Sequence, residues 1–183
     1  MFLMIDDTIT IAGIVVPTDD PRFLAVLAIH VPAGLVCVIA GAIAMFSRKK
    51  RGNHTRAGLV YYRSLMVVFA TMTALAAMRW AHAYHLFALG LLSFAAAIIG
   101  RRRINGSTNW RVRAHVIGMG ASYVVLLIAF YVDNGRNLPL WKNLPAVSYW
   151  ALPLAIGVPL IARAVRRHPL ARSEKLRSAH RSA

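Results

Sequence analysis

Five runs of mainly apolar residues, separated by short basic or turn-forming connections, constrain this chain more than any other feature. A helix needs about 20 such residues to cross a hydrocarbon core. The runs fall at about 23–46, 57–78, 80–100, 112–132 and 147–165. The expected fold class is therefore all-α: a polytopic membrane protein of five transmembrane helices, the first four forming an antiparallel core because their connections are short. Residues 1–21 form a segment ahead of this 22–165 membrane domain, and 166–183 a basic tail.

A hydrophobic fraction of 58% over 183 residues agrees with one membrane domain rather than a soluble globule. The formal charge of +16, from 22 Lys and Arg against 6 Asp and Glu, raises the question of nucleic acid. The basic residues, however, punctuate the apolar runs and form no single patch interleaved with aromatics, so no nucleic-acid partner is expected. Topology accounts for the charge. Arg48, Lys49, Lys50, Arg51 and Arg56 lie between the first two runs, and Arg101, Arg102, Arg103, Arg111 and Arg113 between the third and fourth. The tail adds Arg163, Arg166, Arg167, Arg172, Lys175, Arg177 and Arg181. The opposite side carries only Arg22, Arg79, Arg136 and Lys142, with five of the six acids: Asp6, Asp7, Asp19, Asp20 and Asp133. Short loops rich in Lys and Arg stay cytoplasmic. The N-terminus is thus expected outside and the C-terminus inside, in a multi-pass protein of a cell inner membrane whose tail can meet anionic membrane lipids.

The first 21 residues lack a basic n-region and carry Asp6 and Asp7 within their apolar stretch. A cleaved signal peptide is not expected, and the segment should lie at the membrane surface or on the outer helix ends. Cys37 is the single cysteine, offers no disulfide or Cys-rich metal site, and reads as a packing residue. Gly135, Pro139 and Pro145 break the chain between the last two runs, where Trp141 suits an interface anchor.

An imidazole in hydrocarbon is costly and needs a partner. With a rise of about 1.5 Å per residue, His30 falls about 12 Å inward from Arg22, and His85 about 9 Å inward from Arg79. His54 precedes the second run, and His115 closely follows Arg113. Two histidines thus stand near each membrane face, His30 with His85 outside and His54 with His115 inside. In an up-down bundle these pairs lie diagonally across the core, with room for a flat ligand. Gly34 and Gly58 follow His30 and His54 by four residues and share their helix faces. Gly118 and Gly120 follow His115, and small residues in all four places leave space beside an imidazole or serve close helix packing.

No Asp or Glu lies within any run, which removes the carboxylates that hydrolytic zinc sites and proton relays commonly use. Two imidazoles per site without an acid fit bis-histidine haem iron better. His30, His85, His54 and His115 are therefore the candidate metal ligands for two haem b groups per chain. Arg79 near the outer pair and Arg56 near the inner pair stand at depths suited to haem propionates, or are ordinary interfacial arginines. Arg63, deeper in the second run, can snorkel or reach a propionate or an anionic substrate. His82, three residues before His85, is an alternative ligand, a proton donor or an interfacial polar residue. His168 and His180 belong to the solvated tail.

The pattern resembles the transmembrane dihaem b-type cytochromes, including the ascorbate-reducible and ferric-reductase-like group, over about residues 22–132. In that group a four-helix core holds one haem near each face through histidines of alternate helices. The entry His54, Arg56, Gly58 also looks like the His-x-Arg-x-Gly motif of a bacterial family of predicted membrane proteins of unassigned function. The ascorbate-reducible members commonly have six spans; here the histidine core starts at the first helix, and a histidine-free span follows. The resemblance implies electron transfer across the bilayer, from a cytoplasmic or quinol donor to an extracytoplasmic acceptor, and leaves a homodimer open. The alternatives are a small permease or channel using His30, His85 and Arg63 without haem, an assembly protein whose histidines only bridge helices, and a lipid-directed enzyme using His54, His115 and the cytoplasmic arginines.

Overall fold

The computed structural model describes residues 9–11, 14–16, 20–47, 52–102, 109–139 and 141–167. Five helices make up nearly all of it: α1 Pro21–Phe46, α2 Asn53–Met78, α3 Trp80–Arg102, α4 Asn109–Asn134 and α5 Val147–Arg167. All five are long and apolar enough to cross a membrane. One departure from an all-helical chain is a short antiparallel pairing of β1, Ile9–Ile11, with β2, Ile14–Val16. All six residues are β-branched, which favours extended backbone. Asp6, Asp7, Asp19, the cluster Arg48 to Arg51, Arg103, and the tail with His168 and His180 lie outside the described residues.

The helix ends follow from local chemistry. Asp20 caps α1, its carboxylate accepting the Arg22 N–H at 2.9 Å, and Pro21 takes the first helical position, where its missing N–H costs nothing. Gly52, with φ 138°, leads into α2 through a backbone conformation that side chains resist. Arg79 breaks the helical path between α2 and α3. Helices α2 and α4 begin at Asn53 and Asn109, ahead of the apolar runs at about 57 and 112, because polar entry residues continue a helix past the point where hydropathy ends. His54 consequently lies inside α2.

The chain divides into two compact units, Met1–Phe87 with Arg136–Lys142, and Ala88–Gly135 with Asn143–Ala183. In the first unit α1 and α2 pair antiparallel. The register runs from His30 beside Thr71, through the Cys37 thiol directed at the Tyr61 carbonyl, to His54 beside Ala44. Cys37, Ala40 and Gly41 of α1 are buried, as are Ala57, Tyr61, Leu65 and Val68 of α2, whose spacing of three to four residues forms one helix face.

In the second unit the later turns of α3 pack on α4 through glycine. A Cβ added at Gly118 would lie 2.6 Å from Gly100 Cα, so the two backbones are in near contact. The buried Ser93 hydroxyl donates to the Ser122 carbonyl at 2.9 Å and sits 3.3 Å from the Ser122 hydroxyl. Helix α5 meets α4 where Ile161 covers Gly120, Val124 covers Gly157, and the Tyr149 ring covers Gly135.

Candidate functional site

His30 is half-buried on α1, with its Nδ1 2.8 Å from Thr71 Oγ1. Thr71 has a single hydroxyl hydrogen, which is directed at the α2 carbonyls of Val67 (2.8 Å) and Val68 (3.1 Å). With its hydrogen on either carbonyl, the hydroxyl oxygen accepts from His30, and in that tautomer the ring carries its proton on Nδ1 and its lone pair on Nε2. Metal-ligating histidines show this arrangement, because a bond from one ring nitrogen sets the tautomer and aims the other.

His85 lies in the same unit, near the start of α3. Phe69 of α2 and Phe87 of α3 stack with ring centroids 6.1 Å apart, so α2 and the first turns of α3 run antiparallel from the break at Arg79. Two residues forward from Phe69 and two back from Phe87 bring Thr71 and His85 to one level. The pairing of His30 with His85 is an expectation from the sequence. The His85 ring is half-buried and edge-on to Tyr84, with centroids 5.5 Å apart. Among the described residues it makes no hydrogen bond.

The other two candidate ligands belong to different units, and each repeats one local device. His54 donates its Nδ1–H to the Ala44 carbonyl at 2.8 Å. His115 donates its Nδ1–H to the Gly100 carbonyl at 3.2 Å. A carbonyl only accepts, so Nδ1 carries the proton in both rings. Ala44 and Gly100 lie in the last turns of α1 and α3, where carbonyls lack a helical N–H. From His30 to Ala44 is 14 residues of α1, about 21 Å, so one helix pair carries imidazoles at two well-separated levels.

The glycines split into two kinds. A Cβ at Gly34 or at Gly58 meets nothing within 4 Å, so these positions, one turn beyond His30 and His54, serve no close helix approach. Gly118 and Gly120 are packed against Gly100 and Ile161. Close packing thus takes the place of space beside His115, against the Gly100 backbone at Gly118 and against the Ile161 side chain at Gly120.

Arg79 is half-exposed at the α2–α3 break, six residues before His85. Arg56 is exposed and follows His54 by two residues, about 200° around the helix, so it emerges on a different side of α2. His82 and Arg63 are exposed. Among the described residues no three His, Cys, Asp or Glu side chains gather around a common point. Sequence reading missed Thr71; a hydroxyl eight residues before Arg79, at the expected depth of His85, was its only signal. The Ala44 and Gly100 carbonyls carry no side-chain signal at all.

No family model matches the chain, and neither a curated protein nor a solved structure does.

Proposed function

We propose that this protein is a b-type electron carrier of a cell inner membrane, with its N-terminus outside, its C-terminus in the cytoplasm, and a haem held by paired imidazoles near each face. The observation that supports this reading is the His30 ring held through Nδ1 at 2.8 Å from Thr71 Oγ1, which in the Nδ1–H tautomer leaves Nε2 as the lone-pair nitrogen. His30 and His85 are the ligands proposed for the outer haem, and His54 and His115 those for the inner. Bound there, haem would supply one-electron iron chemistry.

The residues themselves orient, make room and neutralise. Thr71, the Ala44 carbonyl and the Gly100 carbonyl hold three of the rings in the ligating tautomer. Gly34 and Gly58 leave their helix surfaces open beside His30 and His54. Arg79 is the cation proposed for an outer propionate. A cytoplasmic or quinol donor and an extracytoplasmic acceptor complete the proposed path.

The test is a reduced-minus-oxidised absorption spectrum of the detergent-purified chain, with a pyridine haemochrome count. A low-spin b-type spectrum that is diminished by His30→Ala and by His54→Ala supports the reading. A chain that remains colourless after haem loading overturns it.

A second reading draws on the carbonyls of Ala44 and Gly100. Both are orphan acceptors at helix ends, so His54 and His115 serve there as C-terminal caps of α1 and α3 whether or not they bind iron. If capping were their whole role, glutamine, which keeps an N–H donor, would replace them without functional loss.

A further inference from the structure

Arg63 is an exposed charge on a helix long and apolar enough to cross a membrane. The 26 residues of α2 extend about 39 Å against a hydrocarbon thickness of about 30 Å. Arg63 is ten residues from Asn53, about 15 Å along the axis, so its Cα stands about 10 Å inside the hydrocarbon when the helix is centred. A guanidinium presents five N–H donors and no acceptor, so at that depth it either snorkels towards the interface or meets an anion.

Among the described residues no carboxylate stands nearby. From Pro21 to Val132 there is no Asp or Glu, and Asp20, the carboxylate at the start of α1, lies at the opposite end of the α1–α2 pair. The helix instead supplies a second cation. Arg56 precedes Arg63 by seven residues, within about 20° of two full turns, so both project from one face about 10 Å apart. That face is uncovered along its length: Asn53 is exposed, Val60 between the arginines is 44% exposed, and Val67 beyond them is 42% exposed. It lies away from the buried stripe of Tyr61 and Leu65 that meets α1, and Arg63, nine residues after His54, points to the opposite side of α2 from that ring.

We propose that Arg56 and Arg63 bind the phosphate of an anionic phospholipid headgroup drawn into the basic-side leaflet, with the acyl chains lying along Val60 and Val67. Charge complementarity selects the headgroup, since two guanidinium forks match phosphate oxygens and no internal carboxylate competes. The depth of Arg63 favours a lipid headgroup over a soluble anion, because a free phosphate would have to leave water and enter hydrocarbon without an acyl anchor. This site uses neither His30 nor His85 and is independent of the haem reading.

The experiment is native mass spectrometry of the full chain released from nanodiscs of mixed phosphatidylglycerol and phosphatidylcholine, counting retained lipid. Wild type should retain phosphatidylglycerol preferentially, and Arg63→Gln and Arg56→Gln should each weaken retention about tenfold. Arg63→Lys keeps the charge and should retain much of the preference, which separates loss of the site from loss of the fold. Arg22→Gln, an exposed cation at the start of α1, should leave retention unchanged. Equal retention of the two lipids by wild type, or unchanged retention in Arg63→Gln, overturns the proposal. So does protection of lipid-free micelles by inorganic phosphate to the same extent as by phosphatidylglycerol, which would assign a free-anion site. Loss of haem from Arg63→Gln with lipid retention intact would likewise overturn it and assign Arg63 to a propionate.

Discussion

The Nδ1 of His30 lies 2.8 Å from Thr71 Oγ1, and the Thr71 hydroxyl hydrogen is itself directed at the Val67 carbonyl 2.8 Å away. In the Nδ1–H tautomer this short chain runs from imidazole to hydroxyl to helix carbonyl. Thr71→Val keeps the shape of the side chain and removes the acceptor. If His30 is a ligand, the variant should hold haem at that site about 10- to 100-fold less tightly, with a stability loss of about 1 kcal/mol, while Thr71→Ser restores both. Haem titration followed by absorbance, with thermal unfolding alongside, reads both effects.

His54 and His115 separate capping from ligation. His54→Gln and His115→Gln each keep an N–H donor for the Ala44 or Gly100 carbonyl, so a melting temperature close to that of wild type is expected. An amide does not replace an imidazole on haem iron, so each variant should lose the low-spin b-type signal of one haem. Full retention of the spectrum would leave capping as the role of these rings.

Glycine substitutions should divide in sign. Gly34→Ala places its Cβ in open space and should stabilise α1 by about 0.5–1 kcal/mol. Gly34→Leu fills the surface one turn from His30, and the expected result is a folded chain that binds less haem. Gly118→Ala forces its Cβ against Gly100 Cα at 2.6 Å and should cost about 1–3 kcal/mol by driving α3 and α4 apart. Thermal melts of the three variants in one detergent provide the comparison.

Ser93→Ala removes the hydroxyl that donates to the Ser122 carbonyl at 2.9 Å within the α3–α4 contact. Hydrogen bonds between membrane helices average about 0.6 kcal/mol, so a small loss of that order is expected, with spectra unchanged. Ser93→Leu places a bulky side chain into a fully buried position and should cost more.

The helices were legible in the sequence. Span positions follow from apolar run length, a local property, and hold to within a few residues at the polar ends of α2 and α4. The pairing of His30 with His85 is an expectation from counting residues inward from Arg22 and Arg79, since a helix advances by a fixed rise. Glycine roles were not legible. Gly34 and Gly118 each follow a histidine within about one turn, yet one faces open space and the other a facing backbone, and only the partner helix makes the difference.

By itself the sequence determined five apolar helices, the placement of basic residues at one set of their ends, and the recurrence of imidazole at two depths, because hydropathy, charge and helical rise act along the chain. Only the tertiary structure decided that Thr71 partners His30 and that the Ala44 and Gly100 carbonyls receive the protons of His54 and His115. The hydrogen bonds join residues from different helices, two of them through backbone groups that every residue possesses. Their selection depends on the register in which one helix lies against the next, and that register is set by packing.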